Sequence, residues 1–310
     1  MDWRVKACIQ GVLSKLPAGA HLNNLLQTMV GGRADQSRHI DLKFQADWLV
    51  LMNILREQEF EVRDKILLEI GTGWLPVLPL CFALVGARHI HSYDVNCHLL
   101  PQTAAKVLRQ LKPKLCELAH ACGQPLSELE SRHAWLSAVT DGSQILRRAG
   151  IQYHAPADAS MTGLSAGAVD LVFSNSVLEH VSETQLVSLM RESARLLSHS
   201  GLVLHSINCA DHYAYFDRSI SSNHYLRFTK MQWRRWNNKL LFQNRLRPKD
   251  FTDAAGAAGL RVTHTIRTVR QDLLANLRST PIASEFAHYS DDELCSTSIT
   301  FSAQRIRFQT

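Results

Sequence analysis

The chain has 310 residues, of which 45% are hydrophobic and 20% charged, and its formal net charge is +6. This length suits one large α/β domain with appendages, and the composition is that of a globular protein with a full core. No apolar run approaches the 18 or so residues of a membrane helix, and the seven cysteines contain no CxxC pair, which argues against a disulfide framework or a cysteine zinc site. The N-terminus lacks the features of a secretory leader, so we expect a cytoplasmic protein.

The first 64 residues are predicted to form an N-terminal helical extension, with a polar loop at 31–39. The helix after that loop is indicated by apolar residues at helical spacing, namely Phe44, Trp48, Leu51 and Ile54 or Leu55. Residues 65–310 are predicted to form the second unit, which carries the chemistry.

From residue 65 onward, predicted strands alternate with helices. Ser182 and Gln185 form a capping box that opens one of the helices, and Gly201 is predicted to end it. Seven strands are predicted, at 65–70, 88–95, 151–155, 169–176, 202–208, 261–270 and 297–307. Alternation of this kind implies a doubly wound, mostly parallel sheet with helices on both faces. Ligands of such sheets bind at the carboxyl ends of the strands.

A glycine turn follows the first strand, in the run Glu69-Ile70-Gly71-Thr72-Gly73. Glycines here let the backbone turn sharply and let a ligand approach the main chain. A dinucleotide fingerprint would need a third glycine where the chain has Pro76, which counts against a nicotinamide or flavin enzyme.

Acidic and polar residues follow the later strands. Asp94 lies 21 residues after Gly73, where a carboxylate accepts hydrogen bonds from ribose hydroxyls or caps the next turn. Asp158-Ala159 follows the third strand, where an acidic side chain can accept from an adenine amino group. The fourth strand ends at 174–176, shortly before Glu179-His180, and polar groups at this position are placed to face a cofactor.

Together these segments resemble the class I, seven-stranded S-adenosylmethionine (SAM)-dependent methyltransferases. ILLEIGTGW is similar to that family's glycine-rich motif, SYDV to its acidic motif, APADAS to its adenine loop and DLVFSNSVLEHV to its fourth motif. The resemblance covers roughly 65–270 and the last strand, and it departs at Leu75, where the family often has a third glycine. It implies that SAM lies across the strand ends. The cofactor-binding residues that it implies are Glu69, Gly71, Thr72, Gly73, Asp94, Asp158, Ala159 and Asn175.

Family reactions are displacements at the methyl carbon, in which in-line positioning supplies much of the rate. A hydroxyl acceptor must also lose its proton. We predict that His180 is the base and that Glu179 orients it; the alternative is that this pair caps the following helix. His205 and His212 flank the end of the fifth strand and would be partners for His180 on a metal, but their spacing is loose and we predict no metal site.

Two insertions are predicted, at about 111–148 and 210–247, and together they would form a cap. Residues 210–247, here called the cap insertion, interleave eight aromatic with eight basic residues. That composition suits a sugar ring with an anionic group, suits RNA, or belongs to a helical cap with aromatic core and solvated arginines. The predicted substrate-binding residues are His212, Tyr215, Arg234, Arg235 and Trp236.

The predicted function is transfer of a methyl group from SAM to a small or medium acceptor, most simply an oxygen of a glycan or sugar-nucleotide precursor. The alternatives are an RNA methyltransferase and a SAM-fold protein that binds a ligand or partner without catalysis. A nicotinamide-dependent dehydrogenase is a more distant alternative. The sequence leaves the oligomeric state open.

Overall fold

The computed structural model describes residues 2–17 and 36–306. The first residues of the predicted loop at 31–39 lie outside this part of the chain. The described residues contain one seven-stranded sheet in the order β3-β2-β1-β4-β5-β7-β6, in which β7 runs antiparallel to the other six strands. The strands are β1 (Ile66–Ile70), β2 (His89–Tyr93), β3 (Ile151–His154), β4 (Val169–Asn175), β5 (Leu197–Asn208), β6 (Leu260–Val269) and β7 (Ser296–Arg305).

The predicted α/β sheet is confirmed, and six of its strands begin and end within two residues of the prediction. The exception is β5, which begins at Leu197 rather than at residue 202. Leu197 pairs with Val169 of β4, so the chain enters the sheet directly after the preceding helix. Gly201 therefore lies inside the strand, and the prediction that it ends the helix was wrong.

Helices cover both faces of the sheet. The longer ones are α1 (Trp3–Leu13), α2 (Gln36–Leu42), α3 (Leu49–Glu57), α4 (Val77–Leu84), α5 (Thr103–Leu111), α6 (Leu115–Cys122), α7 (Leu126–Ser137), α8 (Gly142–Arg148), α9 (Glu183–Leu196), α11 (Pro248–Ala257) and α12 (Gln271–Asn276). Two short helices are α10 (Lys230–Trp233) and α13 (Asp291–Cys295). Helices α3 to α8 contribute to one apolar cluster, and α9 and α11 contribute to the other.

Side-chain alternation along the strands separates these two clusters. Leu67 and Phe173 belong to the first cluster, whereas Leu68 and Val172 belong to the second. Neighbouring residues of a strand point to opposite faces, so central strands that are buried on both faces read as continuous apolar runs. This is why β1 and β4 were predictable from sequence.

The helix predicted around Phe44 and Trp48 is present, but it is not regular. Between α2 and α3 the backbone forms a π-helical turn, Lys43–Trp48. Phe44 and Trp48 are fully buried and their rings stack 5.8 Å apart, against the first cluster. A π turn contains one residue more than an α turn. The residues that follow it are therefore rotated about the helix axis, and different polar side chains face the sheet.

Helix α1 packs elsewhere. Trp3 is 2% exposed and belongs to a third apolar group, the Trp3 cluster, whose buried members are Trp3, Ala7, Tyr213, Tyr225, Leu226, Trp233, Ala283, Phe286 and Leu294. Its ring lies 5.6 Å from that of Tyr213 and 5.0 Å from that of Trp236. The Trp3 cluster thus joins α1, the cap insertion and the long connection between β6 and β7. Within the described part of the predicted extension 1–64, α1 packs in the Trp3 cluster, whereas residues from 40 onward pack in the first apolar cluster. That the extension is one unit stays a prediction.

The cap insertion consists of short turns held by internal hydrogen bonds. Arg247 is fully buried, and its guanidinium donates to the carbonyl oxygens of Glu293, Cys209 and Ser296. Arg245 is 6% exposed and pairs with Glu285 at 2.7 Å. Within the described ranges, no helix is both long and apolar enough to cross a membrane.

Candidate active site

The glycine turn after β1 has the conformation that its sequence predicts. Gly71 and Gly73 have φ angles of +79° and +68°, in the left-handed region that side chains rarely adopt. A Cβ on Gly71 would lie 2.4 Å from Cγ2 of Val177, whereas a Cβ on Gly73 would have no neighbour within 4 Å. Gly71 is therefore held against the turn that follows β4, and Gly73 faces open space.

Glu69 and Thr72 lie below this turn and are both 2% exposed. The Ser92 hydroxyl donates to Glu69 and lies 2.5 Å from the Thr72 hydroxyl. Parallel pairing places Glu69 beside Ser92, which explains why these groups meet. Burial raises the pKa of Glu69 to about 7, against the effect of these hydrogen bonds.

Asp94 connects three segments at the end of β2. Its carboxylate accepts from the backbone N–H of Gly73 at 3.0 Å and from that of Asn96 at 3.1 Å. Its carbonyl oxygen accepts from the N–H of Ala157, in the segment predicted to meet adenine. The Asp94 carboxylate therefore holds the glycine turn and the turn that follows β2. Its predicted contact with a ribose stays a prediction.

Asp158 and Ala159 follow β3, as the sequence predicts. Asp158 is exposed and its carboxylate accepts from the N–H of Ser160 at 2.8 Å. Ala159 is buried in the second apolar cluster. Their contact with adenine stays a prediction.

Asn175 ends β4 and is 8% exposed, and its side-chain oxygen is buried without a hydrogen-bond partner. Its neighbour across the site is Asp47, which hydrogen-bonds to Asn175 and whose pKa is raised by burial. The positive charge of Lys43 acts on both Asp47 and Glu69, where it opposes the larger rise in pKa that burial causes. Sequence reasoning missed Lys43 and Asp47, because the apolar spacing located the helix but gave no sign of the π turn that directs them to the site.

Glu179 and His180 lie on a single 3-10 turn, Leu178–His180, after β4. The Nδ1 atom of His180 lies 2.6 Å from the carbonyl oxygen of Phe242. A carbonyl only accepts, so Nδ1 carries the hydrogen and Nε2 retains its electron pair. Desolvation lowers the pKa of His180, which favours this neutral form at pH 7.

The Glu179 carboxyl does not orient His180 as we predicted, because the Phe242 carbonyl does so. Glu179 is 3% exposed, and neither of its carboxyl oxygens has a well-aligned hydrogen bond, although the backbone N–H groups of Glu179 and Asn208 lie close enough to act on its pKa. Burial raises its pKa to about 8. The turn itself is fixed by Asn244, whose amide nitrogen donates to the carbonyl oxygens of Leu178 and Val181. The catalytic role of Glu179 stays a prediction.

His212 meets this turn from the cap insertion. Its ring centroid lies 5.0 Å from that of His180 and 5.6 Å from that of Tyr215. His212 is 9% exposed, its Nε2 atom is buried without a partner, and burial lowers its pKa to about 3. The Tyr215 hydroxyl accepts from the Asn208 amide at 2.7 Å. The cap insertion therefore contributes directly to the site beyond β4.

The sequence profile of a methyltransferase domain matches residues 47–265. The chain belongs to this methyltransferase family. The profile begins at Asp47, within the π turn, and it includes the whole cap insertion. The predicted class I fold is thereby confirmed, as is the assignment of the chain as a methyltransferase.

Solved structures similar to this methyltransferase have low sequence identity to it. A SAM-dependent methyltransferase from Mesorhizobium loti is 17% identical over 82% of this chain and 96% of that one, with a TM-score of 0.45. A TehB-like SAM-dependent methyltransferase from Corynebacterium glutamicum is 11% identical over 89% and 97%, with a TM-score of 0.44. Geranyl diphosphate C-methyltransferase from Streptomyces coelicolor A3(2) is 10% identical over 83% and 79%, with a TM-score of 0.44. No curated protein matches the chain.

The other predicted residues of the methyltransferase lie in different environments. His205 is fully buried in the sheet, where its Nδ1 atom lies 2.9 Å from the Ser174 hydroxyl, so it does not join His180 and His212. Arg234 and Arg235 are exposed, and Trp236 packs on Trp3 in the Trp3 cluster. Substrate binding by these last three residues stays a prediction.

Proposed function

We propose that this methyltransferase transfers the methyl group of SAM to an oxygen of a small or medium acceptor, and that the acceptor is a glycan or sugar-nucleotide precursor. The observation that carries the proposal is the fixed tautomer of His180 on the turn that follows β4. Its Nδ1–H is held by the Phe242 carbonyl, so the electron pair of Nε2 is available where an acceptor would be activated.

The residues of the two halves of the site fit these roles. SAM supplies, when bound, a methyl group on a sulfonium that leaves as a neutral thioether. Gly73 offers open backbone and Asp94 a carboxylate for the cofactor. On the acceptor side, we assign the electron pair of His180 Nε2 to activation of the hydroxyl, which must lose its proton as the carbon–oxygen bond forms.

Exposed aromatic residues support a sugar-like acceptor. Tyr215 and Phe216 are 61% and 41% exposed, and the ring centroid of Tyr215 lies 5.6 Å from that of His212, which meets His180. Aromatic faces of this kind pack against the apolar face of a sugar ring. Tyr215 adjoins the site, whereas the Lys6 ammonium lies over the ring of Phe216, and Trp236 faces Trp3.

The cap insertion offers less to RNA than its composition suggests. Of its eight aromatic residues, Tyr213, Tyr225 and Trp233 are buried in the Trp3 cluster and are not available for stacking on bases. Arg245 and Arg247 are buried as well, and they donate to carbonyl oxygens of the protein rather than facing solvent. The RNA alternative therefore loses part of its basic and aromatic surface.

The test is methyl transfer from labelled SAM to fractionated cell extract, followed by identification of the labelled product. We expect label in a water-soluble glycan or nucleotide-sugar fraction. His180→Ala should lower turnover about 10²–10⁴-fold and leave the affinity for S-adenosylhomocysteine nearly unchanged. His120→Ala is the matched control, since His120 is an exposed histidine on α6. Label in RNA or protein alone, or normal turnover of His180→Ala, would refute the proposal.

A further inference from the structure

Three potential metal ligands converge beyond the end of β4. Glu179, His180 and His212 each have one ligand atom such that all three atoms lie within 4.8 Å of one another. Two of the residues come from the turn after β4 and the third from the cap insertion. The site is thus formed only when the cap insertion packs on the turn.

The atoms that face this site lack well-aligned hydrogen bonds. The Nε2 atom of His212 is buried without a partner, and neither carboxyl oxygen of the almost fully buried Glu179 has a well-aligned hydrogen bond, although the backbone N–H groups of Glu179 and Asn208 act on that carboxylate. Buried polar groups are nearly always hydrogen-bonded, because desolvation without a partner costs free energy. Carboxyl oxygens without a well-aligned donor and an unpaired imidazole nitrogen, when they converge, offer electron pairs to which a cation would bind.

The orientation of His180 points the same way. Its Nδ1–H donates to the Phe242 carbonyl at 2.6 Å, which leaves Nε2 to face outward from that bond. Histidines that bind metals usually donate their other ring N–H to a carbonyl or carboxylate, which fixes the ring and its tautomer. The same carbonyl also secures the cap insertion against the turn.

We propose that Glu179, His180 and His212 bind a divalent first-row transition-metal ion. Two imidazole nitrogens and one carboxylate suit such ions, and three protein ligands leave coordination positions open for an exchangeable group. At bonds of about 2.0–2.2 Å, tetrahedral ligand atoms lie about 3.4 Å apart. Binding therefore requires these atoms to approach one another by up to about 1.4 Å.

This inference rests on the proposed function and changes one step of it. The electron pair of His180 Nε2 binds the ion, and an acceptor oxygen takes an open coordination position. The ion lowers the pKa of the acceptor hydroxyl, and the proton leaves to solvent water instead of to His180.

The test uses the full chain after removal of metals with a chelator. Zn²⁺ alone is titrated by calorimetry into the wild type, Glu179→Gln, His212→Asn and the control His120→Asn. Zn²⁺ also binds thiolates, and Cys8, Cys97 and Cys116 are exposed. The proposed site is therefore identified as the one molar equivalent of Zn²⁺ that the wild type and His120→Asn bind and that Glu179→Gln and His212→Asn do not bind.

We expect the two ligand variants to bind this equivalent of Zn²⁺ at least about 100-fold more weakly. Loss of a residue that only hydrogen-bonds to a metal ligand already lowers metal affinity about 10–100-fold. Zn²⁺ should raise the melting temperature of the wild type more than that of either variant. Affinity for S-adenosylhomocysteine reports whether each variant is folded. If one variant no longer binds S-adenosylhomocysteine, the test relies on Zn²⁺ binding by the other variant and on the change in melting temperature of the wild type.

Equal Zn²⁺ binding by all four proteins, or no binding by the wild type, would overturn the metal site. Methyl transfer that depends on His180 and persists in the chelator-treated enzyme would overturn it as well, while leaving the proposed function standing. Zn²⁺ binding at this site without methyl transfer to any oxygen acceptor would separate the two proposals in the other direction. In that case the metal site would stand and the proposed function would fall.

Discussion

Replacing Gly71 by alanine tests whether the turn after β1 is held only by backbone conformation or also by contact with Val177. Both Gly71 and Gly73 have left-handed φ angles, so alanine at either position costs about 1–2 kcal/mol of conformational free energy. Only at Gly71 would the new Cβ meet Val177, at 2.4 Å from Cγ2. Carbon atoms in contact normally lie about 3.5–4.0 Å apart, so the neighbouring turn must move by about 1 Å. Overpacking of this kind costs about 1–3 kcal/mol.

The expected loss of unfolding free energy is therefore about 2–5 kcal/mol for Gly71→Ala and about 1–2 kcal/mol for Gly73→Ala. Gly73→Ala is the matched control, because both changes restrict the unfolded chain equally. Val177→Ala should remove the clash but not the φ strain. The double variant Gly71→Ala/Val177→Ala should then be about 1–3 kcal/mol more stable than the sum of its single changes predicts.

Urea unfolding with a common m value measures these differences. Equal destabilisation by Gly71→Ala and Gly73→Ala, with no coupling to Val177, would refute the packing argument. Affinity for S-adenosylhomocysteine gives a second measurement. The Cβ of Gly73→Ala would enter the open space that we assign to the cofactor. This variant should therefore bind S-adenosylhomocysteine more weakly although it loses little stability.

Four further changes test other parts of the site. Asp94→Ala should weaken SAM binding at least about tenfold in calorimetry, since each charge-assisted hydrogen bond is worth about 1.5–3 kcal/mol; unchanged affinity would remove Asp94 from the site. Glu69 has its pKa raised from 4.5 to about 7 by burial, so its contribution to stability is complete below pH 4.5 and is lost as the pH rises to about 7. Relative to Glu69→Gln, the wild type should lose about 3 kcal/mol over that window, and parallel pH profiles would contradict this. Trp3→Ala should cost about 3–5 kcal/mol in urea unfolding, and a loss under 1 kcal/mol would show that the Trp3 cluster contributes little. Arg234→Ala/Arg235→Ala should leave SAM affinity and its salt dependence unchanged, and loss of cofactor binding with unchanged stability would mean that these arginines act on the cofactor rather than on the acceptor.

The strands of the sheet were predictable because their signal is local. The central strands β1 and β4 are continuous apolar runs that end in polar residues, and burial on both faces produces this pattern. Gly71, Gly73 and Asp94 follow from the same logic, since they occupy the ends of strands. The early start of β5 was not predictable, because it depends on the pairing of Leu197 with Val169.

The acceptor half of the site depends on contacts between distant segments. His180 and Glu179 were predictable as polar residues at a strand end. Their actual partners, Phe242 and Asn244, lie more than 60 residues away, and one of the decisive contacts uses a backbone carbonyl that any residue supplies. Composition indicated an aromatic and basic surface, whereas packing buried much of it around Trp3.

The position of Trp3 has a consequence for biosynthesis. Its backbone N–H is bonded to Asp217, 214 residues later in the chain, so the ribosome makes α1 long before its partners. At about 5–20 residues per second this interval is roughly 10–40 s. During translation the indole of Trp3 and the methyl group of Ala7 have no cap insertion to pack against, so they stay exposed to solvent until that segment has been made. Completion of the Trp3 cluster therefore waits for the synthesis of residues that lie more than 200 positions after Trp3.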